Sequence, residues 1–291
     1  MLRKAITLCL LLLIATGLSA RVRVAAYEDP RSSIDVVLAI DDDGYLYLVE
    51  AAGWAKVNEN PCPTAGPYDL DTFYDASIED MVVLVVDGEG RVYAAGTGEW
   101  LSITGVPTET EAPYLVSAFY YDGENTTLLT LLDAGGQLLA WYWAEEYYEF
   151  VMDPLPAAES YSITDHFELG DDRYQLHAVD STGVVYAFLA DGWHRFPVAV
   201  EGEPPFQIGI LDTSAGMIDL IVAADGEVTF IKDAEEATTL SATLDGEPPY
   251  DFDAAHTPGT DNYRSYLIDS EGKLFSYDGE NWSRVLDGFP E

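Results

Sequence analysis

One pattern recurs six times along the chain and limits what it can fold into. Aligned on a turn glycine, the copies stand at Gly44, Gly90, Gly136, Gly183, Gly226 and Gly272, with gaps of 46, 46, 47, 43 and 46 residues. Two residues after each glycine comes an aliphatic residue: Leu46, Val92, Leu138, Val185, Val228 and Leu274. Three residues before it stands an aspartate at Asp41, Asp87, Asp133, Asp180 and Asp269, with Ala223 the exception. A period of this length marks stacked supersecondary units, each too small to bury its own apolar face.

One copy, residues 66–105, reads as four strands. Tyr68–Tyr74 follows Pro67 as the first, and Met81–Val86 is the second, rich in β-branched residues and apolar on both faces, as a strand between two layers should be. Asp87-Gly88-Glu89-Gly90 is a tight turn, since aspartate bonds nearby backbone and glycine accepts positive φ. Arg91–Ala94 and Trp100–Ile103 complete the unit. First strands are expected from Val22, Tyr68, Tyr114, Tyr161, Phe206 and Tyr250, and a tryptophan opens the fourth strand at Trp54, Trp100, Trp193 and Trp282. The fifth copy has Glu235-Glu236 in that region and looks degraded.

A four-stranded meander must be covered by neighbours. Six arranged radially predict an all-β fold, a six-bladed β-propeller of four-stranded antiparallel blades around a central channel. The chain starts on a first strand and ends just past a fourth, so closure needs no strand exchange between the termini. An open stack would need polar caps, and neither end unit carries them. The blades fall at about 21–58, 66–105, 112–152, 159–199, 204–243 and 248–287, in one domain over 21–291.

The pattern Asp-x-x-Gly-x-[Leu/Val]-[Tyr/Phe]-x6-Trp, seen over Asp41–Trp54, Asp87–Trp100, Asp180–Trp193 and Asp269–Trp282, resembles the repeats of tectonin-type and fungal fucose-lectin-type propellers. The resemblance implies a six-bladed ring. In the fucose-lectin type it also implies sugar bound between blades by an arginine, a glutamate and an aromatic residue.

Residues 1–20 read as a secretory leader: Arg3 and Lys4, then the apolar run Ala5–Leu18, then Leu18-Ser19-Ala20 as a small-residue cleavage site. The run is shorter than the roughly 20 residues a spanning helix needs. The expected location is therefore secreted or periplasmic, with no stable membrane insertion after processing. The formal charge of −39 becomes −41 when Arg3 and Lys4 are lost. Such a field repels nucleic acid and anionic headgroups and favours a soluble monomer. After processing Cys62 has no cysteine partner within the chain, so burial and hydrogen bonds must hold the fold. It is expected to be partly buried in its proline-flanked loop.

First strands line a propeller's channel. One ring of alternate positions reads Arg23, Asp69, Leu115, Ser162, Gln207 and Asp251, and the next Ala25, Asp71, Ser117, Thr164, Gly209 and Asp253. Residues two apart on a strand share a face. Asp69, Asp71, Asp251 and Asp253 are therefore either a wet channel wall or the ligands of a cation, Ca²⁺ being the ion that takes several oxygens in flexible geometry. The plain wall is the simpler reading, because a hard ion wants more oxygens than one strand pair supplies. Blade three breaks the tryptophan pattern with Trp141, Trp143 and Tyr147, an aromatic cluster suited to ligand contact. The chain contains no HExxH motif, phosphate-binding loop or nucleophile elbow. These observations favour a non-enzymatic binding or scaffold module for a protein or another ligand. A carbohydrate-binding lectin is the alternative, and an enzyme at the channel mouth, a glycosidase or lyase, stands third.

Overall fold

The computed structural model describes residues 22–290 apart from 30, 33, 76, 97–98, 106–109, 122–125, 143–146, 152–153, 169–172, 190, 214–215, 233–235, 241–243, 257–262 and 278–280. Six blades of four antiparallel strands form a ring. Blade one holds β1 (Arg23–Asp29), β2 (Ile34–Ile40), β3 (Leu46–Glu50) and β4 (Gly53–Lys56). Blade two holds β5 (Asp69–Asp75), β6 (Asp80–Val86), β7 (Arg91–Ala95) and β8 (Trp100–Gly105). Blade three holds β9 (Leu115–Tyr121), β10 (Thr126–Leu132), β11 (Leu138–Tyr142) and β12 (Tyr147–Val151). Blade four holds β13 (Tyr161–Glu168), β14 (Arg173–Asp180), β15 (Val184–Leu189) and β16 (Gly192–Ala199). Blade five holds β17 (Gln207–Thr213), β18 (Gly216–Val222), β19 (Val228–Lys232) and β20 (Glu236–Leu240). Blade six holds β21 (Asp251–His256), β22 (Tyr263–Ile268), β23 (Leu274–Tyr277) and β24 (Trp282–Leu286). In each sheet the strands lie in chain order, so no blade borrows a strand from the far terminus. The fifth unit, despite its acidic fourth strand, keeps all four: β20 pairs with β19 from Leu240 opposite Val228 to Glu236 opposite Lys232.

The buried apolar residues gather into six clusters, each shared by two neighbouring blades. The cluster that joins the chain ends unites Val24, Ala26, Val37 and Ala39 of blade one with Ala255, Tyr266, Ile268 and Leu274 of blade six. It has the same make-up as the five internal ones, which is why the ring closes by packing alone. Second strands carry the load: Leu84, Val85 and Val86 are fully buried, as are Leu38, Ala39 and Ile40, because each sheet is covered on one face by the preceding blade and on the other by the next.

The repeated turn explains its own sequence. At each hairpin the glycine amide donates to the carbonyl three residues earlier, as from Gly44 to Asp41 at 3.0 Å and from Gly226 to Ala223 at 2.9 Å. The six glycines sit at φ +76 to +83, where a side chain is strained. The aspartate carboxylate closes the turn from inside. Asp87 Oδ1 accepts the Glu89 and Arg91 amides at 2.8 Å each, and Asp269 Oδ1 accepts those of Glu271 and Lys273 at 2.9 Å each. The other oxygen often reaches the connection from the preceding blade, as when Asp133 accepts the Glu111 amide at 3.1 Å.

Three of the connections dock on the turn glycine of the blade they leave. The amides of Cys62, Leu155 and Val200 donate to the carbonyls of Gly44, Gly136 and Gly183 at 2.8, 2.9 and 2.8 Å. Cys62 is thus the small apolar plug of its linker. It is 5 % exposed, and burial pushes its thiol up to about 11.

Candidate functional site

Two places concentrate polar chemistry: the central channel and a pocket on blade four. The channel is walled by the first strands β1, β5, β9, β13, β17 and β21 and encloses about 120 Å³. All six residues of the first expected ring line it, together with Asp71, Ser117, Thr164 and Asp253 of the second. Arg23 lies between the two aspartates of its ring. Its Nη1 donates to Asp251 Oδ1 at 2.7 Å, and its Nε is 3.3 Å from Asp69 Oδ1. Burial alone would pull the guanidinium down, but the charges of Asp69 and Asp251 outweigh it and hold it above its ordinary value.

The other oxygens of these acids tie blades together. Asp251 accepts the Val24 amide and Asp253 the Ala26 amide, both at 2.7 Å, across the closing junction. Asp69 and Asp71 do the same for Val116 and Ala118 of blade three, at 2.7 and 2.6 Å. At the blade four–five junction, Ser162 Oγ accepts from the Ile208 amide at 3.3 Å and donates to Gln207 at 3.0 Å. Every second junction therefore carries a side-chain staple between first strands.

Burial pushes Asp69 up to about 6 against the opposing pull of Arg23, and pushes Asp253 up to about 7 against its amide donors. Asp71 rises well above the carboxylate range through burial and then through the charges of Asp165 and Asp253. Asp165, from β13, was not singled out in the sequence. It joins the group with its carboxyl raised to about 7 by burial. It sits one position past the expected ring, and β13 turns it toward Ser117, which hydrogen-bonds its carboxyl. Among the described residues, no three His, Cys, Asp or Glu side chains are set to hold a metal ion.

The blade-four pocket has a volume of about 680 Å³, inside the roughly 300–1,000 Å³ range of ligand sites. Its floor is Tyr186 on β15 and Trp193 on β16, and its wall is the linker residues Pro154, Pro156 and Ala157. Arg195 and Asp191 stand exposed at the rim, with Asp180 and Thr182 of the turn alongside. Tyr186 donates to Asp180 Oδ2 at 3.1 Å. Burial, then Asp180, push its phenol up to about 12, with Arg195 opposing. Trp193 packs edge-on against Phe188 at 5.2 Å, and its enclosed indole Nε1 has no hydrogen-bond partner.

The same constellation exists in blade one as Asp41, Tyr47, Trp54 and Lys56, where Tyr47 donates to Asp41 at 3.0 Å. There Phe289, in the segment after β24, fills the space. It stacks on Tyr47 at 4.3 Å and lies 5.2 Å from Trp54. At blade four the described residues of the corresponding linker that line the pocket are prolines and alanine, and among the described residues the space is open. The signal for this site was present in the sequence. Lys56, Arg195 and Arg284 all stand twelve residues after their turn glycine, two after the tryptophan. What the spacing does not reveal is which copy the linker leaves uncovered.

Of the expected aromatic cluster, Trp141 is 4 % exposed and packs in the core between blades two and three. Trp143 lies outside the described residues. Tyr147 opens β12, and its side chain is outside them too. The recurrent tryptophans mostly serve blade junctions. Trp54 donates to Gly272 O of blade six at 3.2 Å, and Trp100 to Asn60 O of the incoming linker at 3.0 Å.

No family model matches the chain, and no curated protein matches it. Solved structures do. AofleA from Arthrobotrys oligospora is similar over 94 % of this chain and 88 % of its own, at 13 % identity and a TM-score of 0.64. The fungal lectin of Aleuria aurantia, described as a six-bladed β-propeller with a novel fucose recognition mode, aligns over 94 % and 97 % at 11 % identity and 0.64. BBS1N, solved in complex with ARL6DN, aligns over 94 % and 81 % at 12 % identity and 0.57. The chain is a six-bladed β-propeller, and at these identities the likeness is one of fold.

Proposed function

We propose that the protein is an exported, non-enzymatic carbohydrate-binding propeller whose sugar site is the blade-four pocket. The open cavity over Tyr186 and Trp193 carries this reading. Aromatic faces stack on the C–H face of a pyranose, Arg195 donates to its hydroxyl oxygens, and Asp191 accepts from its hydroxyls. The fucose-recognising propeller among the structural neighbours supports the same class. The acidic field selects neutral over anionic sugars. A glycan array followed by titration of the best hit, with methyl α-L-fucoside included, tests the reading. Arg195→Ala should weaken binding by tenfold or more while leaving the melting temperature nearly unchanged, and Trp193→Ala should weaken it as much while also lowering the melting temperature, because Trp193 packs on Phe188 and the core between blades three and four. An array without hits, or a hit that both variants bind as tightly as the parent, removes it.

A protein partner is the second reading. Ile34 and Ile78, on the β1–β2 and β5–β6 hairpins of adjacent blades, are 63 % and 60 % exposed. Arg31 braces these hairpins by donating to Glu79 O at 2.6 Å and lying 5.5 Å from the centre of the Tyr74 ring. Paired exposed isoleucines on a braced edge suit a protein contact. With Trp141 in the core, Trp143 and Tyr147 are a further ligand candidate, for which Trp143→Ala should abolish binding with little loss of stability.

A further inference from the structure

The channel holds one cation already, and it belongs to the protein. Arg23 is gripped by Asp69 and Asp251, each of which gives one oxygen to the guanidinium and the other to a backbone amide of the next blade. Two residues further along the same two strands, Asp71 and Asp253 repeat the arrangement. One oxygen of each accepts the amide of Ala118 or Ala26, while among the described residues the other accepts only the adjacent amide of Thr72 or Ala254, at 2.7 or 2.8 Å. The residue two after Arg23 is Ala25, which brings no charge. Asp165 adds a third carboxylate from another side, and its Oδ2 is enclosed with no hydrogen-bond partner. All three acids line the same cavity.

We propose that this second acidic layer binds a compact organic cation, with an ammonium or guanidinium head group, stacked in the channel beside Arg23. Three acidic side chains with spare acceptor capacity and no basic side chain in their layer match a head group that only donates and that would hold them ionised. They are not arranged as a metal shell, whereas a guanidinium spreads its N–H groups over several ångströms, as Arg23 does one layer away. A fixed cation here would offset the burial that chiefly raises Asp71 and the repulsion from Asp165 and Asp253 that adds to it. The site is separate from the blade-four pocket and does not depend on its reading.

Calorimetric titration of the full chain with agmatine and putrescine at pH 8, alongside CaCl₂ and KCl, tests the inference. Saturable one-to-one agmatine binding is expected. Asp165→Asn and Asp253→Asn should each weaken it about tenfold, the worth of one charge-assisted hydrogen bond. Asp165→Asn touches no inter-blade amide, so it keeps the test open if Asp253→Asn weakens the fold. A crystal soaked with agmatine should show density beside Arg23. The inference fails if no saturable heat appears. It fails equally if both variants bind agmatine as the parent does, which would mark a surface effect of the acidic chain, or if Ca²⁺ saturates the site while agmatine is silent.

Discussion

At the scale of single residues, chemistry follows from what the neighbouring segment leaves open. Tyr47 and Trp54 match Tyr186 and Trp193 in repeat position, yet Phe289 covers the first pair and, among the described residues, nothing as large covers the second. Phe289→Ala should therefore cost about 2–3 kcal/mol, below the roughly 3–5 kcal/mol of a fully buried aromatic because Phe289 is only half-buried, and denaturant melts would read it. Cys62 is the reverse case. A buried thiol raised to about 11 is protonated at pH 8 and shielded, so a thiol reagent should leave it untouched in the folded protein and label it fully once urea has unfolded the chain. Labelling at native rates equal to those of a free peptide would contradict the plug role.

At the scale of elements, the hairpin turn and the first strand obey different constraints. The turn glycine is demanded twice at Gly136: φ is +80, and an added Cβ would lie 3.0 Å from Leu155 Cβ and from its carbonyl oxygen. Gly136→Ala should cost about 1–3 kcal/mol, with a lowered melting midpoint and unchanged sheet content by circular dichroism. The first strands instead store electrostatic tension. Asp165 and Asp253 are raised to about 7 when folded, against about 4 in an unfolded chain. A folded value above the unfolded one means that the native state holds more protons between pH 4 and 7. The associated stability is fully present below about pH 4 and is lost as pH rises through about 7. Denaturation midpoints should fall as pH is raised from 5 to 8, and Asp165→Asn should flatten that slope. An unchanged slope in the variant would mean the channel acids do not titrate as a buried group.

At the scale of the whole molecule, closure is the joint that matters. The sixth apolar cluster, the Asp251 and Asp253 staples to β1 and the Trp54 bond to Gly272 O all span the junction between the first and last blades. The architecture was legible because it is written six times. The period, the alternation within strands and the Asp-x-x-Gly turn each report local geometry, and local geometry repeated six times leaves one compact arrangement. Channel-lining positions were legible too, since strand alternation places Asp69, Asp71, Asp251 and Asp253 there. Their roles were not. That Asp69 and Asp251 clasp Arg23, that Asp165 joins from a position out of phase, and that Phe289 covers the blade-one aromatics while the blade-four pair lines a pocket are matters of contact between remote segments. Sequence by itself determined the number of blades, their strands and turns, and the unborrowed closure, because hydrogen-bonded hairpins and side-chain periodicity are properties of adjacent residues. Only the tertiary structure decided which charges neutralise one another and which pocket stays empty, because both depend on how far apart remote segments come to rest once the ring has closed.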